Sequence, residues 1–193
     1  MYAIVAVAIV MEKIQSIEDI RISTATIGEA GIEREVNIQP EKFEEILCNE
    51  DLQVRQPLHI HYVLTRKGDT IHAAVHLEGK IHTFCSRCLV PMTYAFKRNL
   101  NTDYLPAPPD IPDDYEPERQ SAEIGYYRKD ITLGEYIISE MVLALPLNYV
   151  CSPDCKGLCQ HCGANLNQGP CRCEKPLDPR LQKLAEIKNT IRR

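Results

Sequence analysis

Residues 58–77 read LHIHYVLTRKGDTIHAAVHL, and this stretch decides the fold. Apolar and polar residues alternate on both sides of Lys67-Gly68-Asp69, a pattern typical of two half-buried strands joined by a tight turn. The run from Lys80 to Phe84 predicts a third strand, and the alternation resumes at Met92 after a turn that carries two cysteines. The sequence therefore predicts an antiparallel β meander.

Helical patterns flank this meander. The segment 40–47 has a proline and a glutamate in its first turn, which predicts a short helix. Thr132 stands three residues before Glu135, a capping box that predicts a helix beginning near Ile131 and ending before the cysteine cluster. Asp178 followed by proline predicts a last helix. The predicted fold class is α+β: an antiparallel β-sheet meander with few short helices and a C-terminal cysteine-rich zinc module.

Differences in composition set the predicted domain boundaries. Residues 101–123 hold five prolines, seven acidic residues and a single arginine, a composition too polar to form a core. The apolar stretch 1–11 is either an added first strand or the product of a translation start assigned upstream of the true initiator. The boundaries are 1–13 for an N-terminal extension, 14–100 for an antiparallel β domain with the first cysteine knuckle, 101–123 for an acidic proline-rich linker, and 124–193 for a helix, the zinc-binding cysteine cluster and a C-terminal helix.

Charge and hydropathy exclude several classes of function. The 193-residue chain has a net charge of −5, but residues 151–193 hold eight Lys or Arg against four Asp or Glu. Because an acidic chain binds polyanions poorly, any RNA contact is expected near the C-terminus. The stretch 1–11 is too short for a membrane span and lacks the flanks of a signal peptide. We therefore expect a cytoplasmic protein with no membrane partner and no small-molecule substrate.

Nine cysteines are many for this length, and six of them fall within residues 151–173. Two-residue gaps between cysteines let both sulfurs of a tight turn bind one ion, and two cysteines separated by one residue point to the same face of an extended segment. In a reducing cytosol, cysteines at these spacings are more often metal ligands than disulfides. Eight of them form four close pairs, enough for two tetrahedral Zn²⁺ sites, while Cys48 is left over and is expected to be a buried small hydrophobe.

Two pairings of these cysteines satisfy the spacing. In the first, site 1 is Cys85, Cys88, Cys151 and Cys155, and site 2 is Cys159, Cys162, Cys171 and Cys173. In the second, the two knuckles 85–88 and 159–162 face each other as in a zinc ribbon, and the other four cysteines share the second ion. Both pairings give closed four-thiolate sites without an open position for catalysis. Redox thiols or disulfides are a third interpretation, disfavoured because no thioredoxin-like βαβ unit surrounds the motifs.

The histidines offer a further candidate site. His59, His61, His72 and His76 have the parity opposite to the apolar residues, so they lie on one face of the predicted sheet. Metal or phosphate binding would explain them, but a polar outer face is the simpler interpretation. His76-Leu77-Glu78 also matches part of a zinc deaminase signature, yet Phe84 stands where that signature needs proline. The sequence therefore offers no convincing set of catalytic residues.

Several motifs in a fixed order carry a resemblance to a known family. They are Cys85-Ser86-Arg87-Cys88-Leu89, the helix end Leu143-Ala144-Leu145-Pro146, the run CKGLCQHCGANLN at 155–167, and Asp178-Pro179-Arg180-Leu181. In this combination the chain resembles the YceD family, the large ribosomal RNA subunit accumulation proteins, from about residue 14 to residue 184.

The resemblance implies a non-enzymatic protein, bacterial or plastid, that is needed for 23S rRNA to accumulate and is associated with large-subunit assembly. The resemblance places the family's cysteines on the eight named above. We expect the direct partner to be either precursor rRNA or a ribosomal protein. We expect the basic tail to make the contact through Lys156, Arg172, Lys175, Arg180 and Lys183. The alternatives are a zinc-stabilised adaptor, whose acidic linker holds a basic ribosomal protein, and a thiol-redox protein.

Overall fold

A computed structural model describes residues 10–11, 16–109 and 124–173 of the chain. These residues fall into two compact units. The larger unit comprises the described residues up to position 83 and those between 91 and 149, and the smaller one comprises residues 84–90 and the described residues from 150 onward. Within the part of the chain that the structure describes, no helix is long and apolar enough to cross a membrane.

Regular elements are concentrated in the larger unit. Both helices predicted there are confirmed, the first starting at the proline of its first turn and the second ending two residues before Pro146. The strands are β1 (Val10–Met11), β2 (Arg21–Ser23), β3 (Ile32–Ile38), β4 (Leu58–Lys67), β5 (Thr70–Phe84), β6 (Pro91–Pro106), β7 (Ile124–Tyr127) and β8 (Asp130–Thr132), and the helices are α1 (Pro40–Leu47) and α2 (Leu133–Ala144).

Six strands form one sheet in the order β1-β3-β4-β5-β6-β7, while β2 and β8 pair separately. The predicted hairpin is confirmed, with Lys67 opposite Thr70 across the turn. Strand β6 runs antiparallel to β5, because His72 meets Asp103 near one end and His82 meets Thr93 near the other. The meander prediction holds for β3 to β6, but the two outermost pairings, β1 with β3 and β6 with β7, are parallel.

Two boundaries differ from those predicted. The run 80–84 is not a separate strand, because β5 continues through it without a break. Residues 101–106, assigned to the acidic linker, are the end of β6, since Thr102 and Tyr104 are buried at alternate positions and continue the strand pattern. The rest of the acidic segment, residues 110–123, and the predicted C-terminal helix lie outside the described residues.

One face of the sheet carries the hydrophobic core. Its inward side chains come from alternate positions of β3 to β6, and the helices cover them, with the Phe43 ring of α1 centred 6.1 Å from that of Phe96. In α2, Leu133, Ile137 and Met141 are buried at helical spacing. The Thr132 hydroxyl makes no capping bond, because Thr132 is also the last residue of β8 and its backbone pairs with β2. The opposite face of the sheet is polar.

Candidate metal centres

The first cysteine knuckle lies in the smaller unit, in the chain segment that links β5 to β6. Its turn is closed by two backbone hydrogen bonds: the Leu89 amide donates to the Cys85 carbonyl at 2.9 Å, and the Cys85 amide donates to the Val90 carbonyl at 2.9 Å. Leu89 has a φ of 56°, a left-handed conformation that costs a β-carbon residue about 1 kcal/mol. The turn therefore holds leucine in a strained position, and its side chain is 61% exposed.

The second knuckle repeats this backbone pattern. The Gly163 amide donates to the Cys159 carbonyl at 2.9 Å, and the Cys159 amide donates to the Ala164 carbonyl at 2.8 Å. Here the left-handed position, with φ of 70°, is occupied by glycine, which adopts it without strain. Leu89 thus stands in the first knuckle where Gly163 stands in the second.

The cysteines meet in two quartets, and the grouping is that of the first pairing. Sγ of Cys85 lies 3.8 Å from that of Cys155, Cys88 Sγ lies 3.6 Å from Cys151 Sγ, and all four sulfurs of this quartet lie within 4.8 Å of one another. The second quartet is Cys159, Cys162, Cys171 and Cys173, with 3.4 Å between the sulfurs of Cys171 and Cys159. The zinc-ribbon grouping of the two knuckles is not the one that the structure adopts.

The electrostatics of each quartet suit a divalent cation. A hydrogen bond from the backbone N–H of Cys151 lowers the pKa of Cys85 to about 6, whereas hydrogen bonds shared with Cys88 and Cys155 raise the pKa of Cys151 to about 12. In the second quartet, backbone N–H groups of Cys162 and His161 lower the pKa of Cys159 to about 6. Four crowded thiols cannot all ionise on their own, but a closed tetrahedral metal site needs all four as thiolates. Each quartet could hold a metal ion of this kind.

Two polar residues that the sequence analysis did not assign support the first quartet. The Asn167 side-chain amide donates to Cys155 Sγ at 3.3 Å, and its oxygen accepts the Lys156 backbone N–H at 2.8 Å. The Arg87 guanidinium donates to the carbonyls of Pro153 and Cys155 at 3.3 and 3.2 Å. Both residues hold the segment that carries the candidate ligand Cys155, without being candidate ligands themselves. The cysteine spacing did not indicate these two residues, because asparagine and arginine are not the usual ligands of a structural metal site.

We expect Asn167→Ala to weaken metal binding at the first quartet about 10- to 100-fold, because the Cys155 thiolate loses a fixed donor. Competition with a chromophoric chelator measures the change, and Gln168→Ala serves as the control because it shortens the neighbouring amide side chain, which is not among the donors to the quartet's sulfurs. Equal affinities in the two variants would contradict the role given to Asn167.

The remaining candidate residues fall into three groups. Lys156 and Arg172 are exposed in the smaller unit, while Lys175, Arg180 and Lys183 lie outside the described residues. The prediction that Cys48 is buried is wrong: it caps α1 in a left-handed conformation with φ of 47° and is exposed, with its thiol donating to the Glu45 carbonyl. The histidines of β4 and β5 lie on the polar face of the sheet, as their parity predicts.

Comparisons with known proteins identify similar sequences. The model of the family described as large ribosomal RNA subunit accumulation protein YceD matches residues 73–188. An uncharacterized protein of Mycobacterium tuberculosis is 34% identical over 103 residues, which are 53% of this chain and 48% of that protein. A protein of Zea mays named large ribosomal RNA subunit accumulation protein YCED homolog 1, chloroplastic, is 40% identical over 65 residues, 33% of this chain and 21% of that protein.

The extent of these matches differs. The chain spans about half the length of the mycobacterial relatives and a smaller share of the plant ones. No solved structure matches it. The family model, in contrast, extends over more than half of the chain and includes all eight cysteines of the two quartets. The chain therefore belongs to the YceD family of large ribosomal RNA subunit accumulation proteins.

Proposed function

We propose that this protein is a non-enzymatic, zinc-stabilised cytoplasmic factor that supports 23S rRNA accumulation and assembly of the large ribosomal subunit. The observation that carries the proposal is the family match over residues 73–188, which contains both cysteine quartets. Plant relatives that match part of this chain carry the name of large ribosomal RNA subunit accumulation proteins.

Zinc is the metal that the ligand chemistry favours. A set of four thiolates in tetrahedral reach of one another selects zinc or an iron–sulfur centre, and a closed Cys₄ set is the usual structural zinc site. Such a site leaves no open coordination position for a water or a substrate. The quartets therefore support a structural role for zinc. In this proposal, the partner is contacted by the surface that zinc organises.

The contact surface in this proposal is the basic C-terminal region. Lys156 flanks the ligand Cys155, and Arg172 lies between the ligands Cys171 and Cys173, so a folded metal site fixes the backbone of both cations. Both side chains are exposed. Cations placed in this way can neutralise phosphates of precursor rRNA, with Lys175, Arg180 and Lys183 extending the charged region along the sequence.

We expect the double variant Lys156→Gln, Arg172→Gln to bind large-subunit precursor rRNA at least about 10-fold more weakly than the parent at moderate salt, and with a shallower dependence on salt. Filter binding over a salt series measures both quantities, and rRNA levels in cells that express only the variant give the functional readout. Lys80→Gln, Lys129→Gln is the matched control, because it removes the same charge from exposed positions of the larger unit.

Unchanged RNA binding and rRNA levels in the Lys156→Gln, Arg172→Gln variant would contradict the contact proposed here. Loss of function on deletion of residues 110–122 alone would instead favour the adaptor that holds a basic ribosomal protein through its acidic segment.

A further inference from the structure

A short segment connects the two cysteine quartets and lies against the first knuckle. Cys155 belongs to the first quartet and Cys159 to the second, so only residues 156–158 separate the ligand sets of the two candidate sites. The Leu158 amide donates to the carbonyl of Arg87, in the first knuckle, at 3.1 Å. The two candidate sites therefore share a connecting segment that is held by backbone contact.

The loop of residues 163–170 belongs to the second quartet but packs on this connecting segment. The loop begins after Cys162 and ends before Cys171, so a metal ion bound at the second quartet would join both of its ends. Within the loop, the Leu166 amide donates to the Gly157 carbonyl at 2.9 Å. A loop that one quartet closes is thus bonded to the segment that leads to the other.

The side chain of Asn167 extends from this loop to the first quartet. Its N–H groups donate to Cys155 Sγ at 3.3 Å and to Asn165 Oδ1 at 2.9 Å, and its oxygen accepts the Lys156 backbone N–H at 2.8 Å. The Asn165 oxygen also accepts the backbone N–H of Asn167 at 3.0 Å. Hydrogen bonds within the loop therefore fix the amide that supports a ligand of the neighbouring quartet.

This arrangement links the free energies of metal binding at the two quartets. Ordering residues 163–170 costs conformational entropy, and metal binding at the second quartet offsets that cost by joining the ends of the loop. When the second quartet is loaded, the Asn167 amide is already in place for Cys155. When it is empty, the first quartet must either order the loop as it binds or bind without this donor, and both weaken its affinity.

We propose that the two quartets bind metal with positive cooperativity, coupled through the loop 163–170 and the amide of Asn167. Since coupling between two sites is reciprocal, each loaded quartet raises the metal affinity of the other by the same factor. The residues that carry the coupling all belong to the smaller unit. The coupling requires the metal sites of the proposed function but no contact with RNA.

The test measures the occupancy of each quartet separately in full-length, reduced protein. The protein is alkylated with N-ethylmaleimide in buffers of defined free Zn²⁺, and peptide mass spectrometry reports the protection of each cysteine. Cys85 and Cys162 should become protected over the same range of free Zn²⁺, with a Hill coefficient above about 1.3. The variant Cys171→Ser, Cys173→Ser keeps all four ligands of the first quartet, but protection of Cys85 should require at least about 10-fold more free Zn²⁺. Cys48→Ser, the matched control, removes a thiol outside both quartets and should leave the Cys85 curve unchanged.

Asn167→Ala tests the route of the coupling. In this background, loss of the same two ligands of the second quartet should shift the Cys85 curve less than about threefold, because the donor that transmits the effect is already absent. An undiminished shift would show that the coupling does not run through Asn167.

Two results would overturn the cooperativity itself. One is a Cys85 curve that is not shifted in the Cys171→Ser, Cys173→Ser variant. The other needs no variant and so is independent of any folding defect: separate protection ranges for Cys85 and Cys162 in the unaltered protein, each with a Hill coefficient of about 1. A lack of Zn²⁺ protection at every cysteine would instead contradict the metal sites of the proposed function, and the RNA contact is tested independently through Lys156 and Arg172.

Discussion

Replacing Cys85 with serine is expected to reduce the bound zinc from two ions to one and to release the first knuckle from residues 151–155. Cys85 is fully buried, and its sulfur accepts the Cys151 backbone N–H in addition to its place in the quartet. Structural zinc sites contribute on the order of 10 kcal/mol of apparent binding free energy, so losing one ligand removes a large part of what orders the smaller unit. Native mass spectrometry with metal analysis measures the stoichiometry, and hydrogen exchange measures the loss of protection around residues 84–90.

The matched control for that experiment is Cys48→Ser, which removes an exposed thiol outside both quartets and should retain two ions. A parent protein that carries no metal, with a mass two protons lower for each cysteine pair, would contradict the zinc sites. Such a result would put the thiol-redox interpretation first.

The second large effect is expected from Gly134→Ala in the first turn of α2. Glycine to alanine within a helix ordinarily stabilises a protein by about 1 kcal/mol. At this position a β-carbon would overlap the backbone carbonyl oxygen of Ile17, and backbone atoms cannot move aside as a flexible side chain can. Overpacking should therefore outweigh helix propensity and lower the free energy of unfolding by about 3 kcal/mol, as measured by urea denaturation.

Gly28→Ala is the control for this substitution, since a β-carbon there meets no atom within 4 Å. It should change the free energy of unfolding by less than about 0.5 kcal/mol. A Gly134→Ala protein as stable as the parent would show that α2 and the 3-10 turn Ile17–Asp19 are packed less closely than the structure describes.

Local patterns in the sequence predicted the elements that local interactions create. The hairpin around Gly68 follows from alternation and turn chemistry, and α1 follows from Pro40 at its first position. The parallel pairing of β6 with β7 was not predicted, because it joins residues about 20 positions apart and no short-range pattern marks a parallel neighbour. The end of β6 was missed because the acidic residues beyond it dominated the composition of the segment.

The cysteine spacing limited the metal sites to two pairings but did not choose between them. The choice depends on contacts distant in sequence, such as the Leu158 amide donating to the Arg87 carbonyl at 3.1 Å, which joins residues 71 positions apart. The supporting role of Asn167 likewise depends on contacts in space, which the sequence alone does not reveal. The sequence thus identified the candidate ligands, while the fold determined which of them come together.

The pairing of β6 with β7 has a practical consequence for the acidic segment between them. Residues 103–106 pair with residues 124–127, and the Ala107 amide donates to the Tyr127 carbonyl at 2.8 Å. Backbone hydrogen bonds within the larger unit therefore hold the two ends of the intervening segment next to each other. We therefore expect that neutral, basic or longer sequences can replace residues 110–123 without loss of either metal quartet, because each doubling in length of a segment whose ends are already joined costs only about 0.6 kcal/mol.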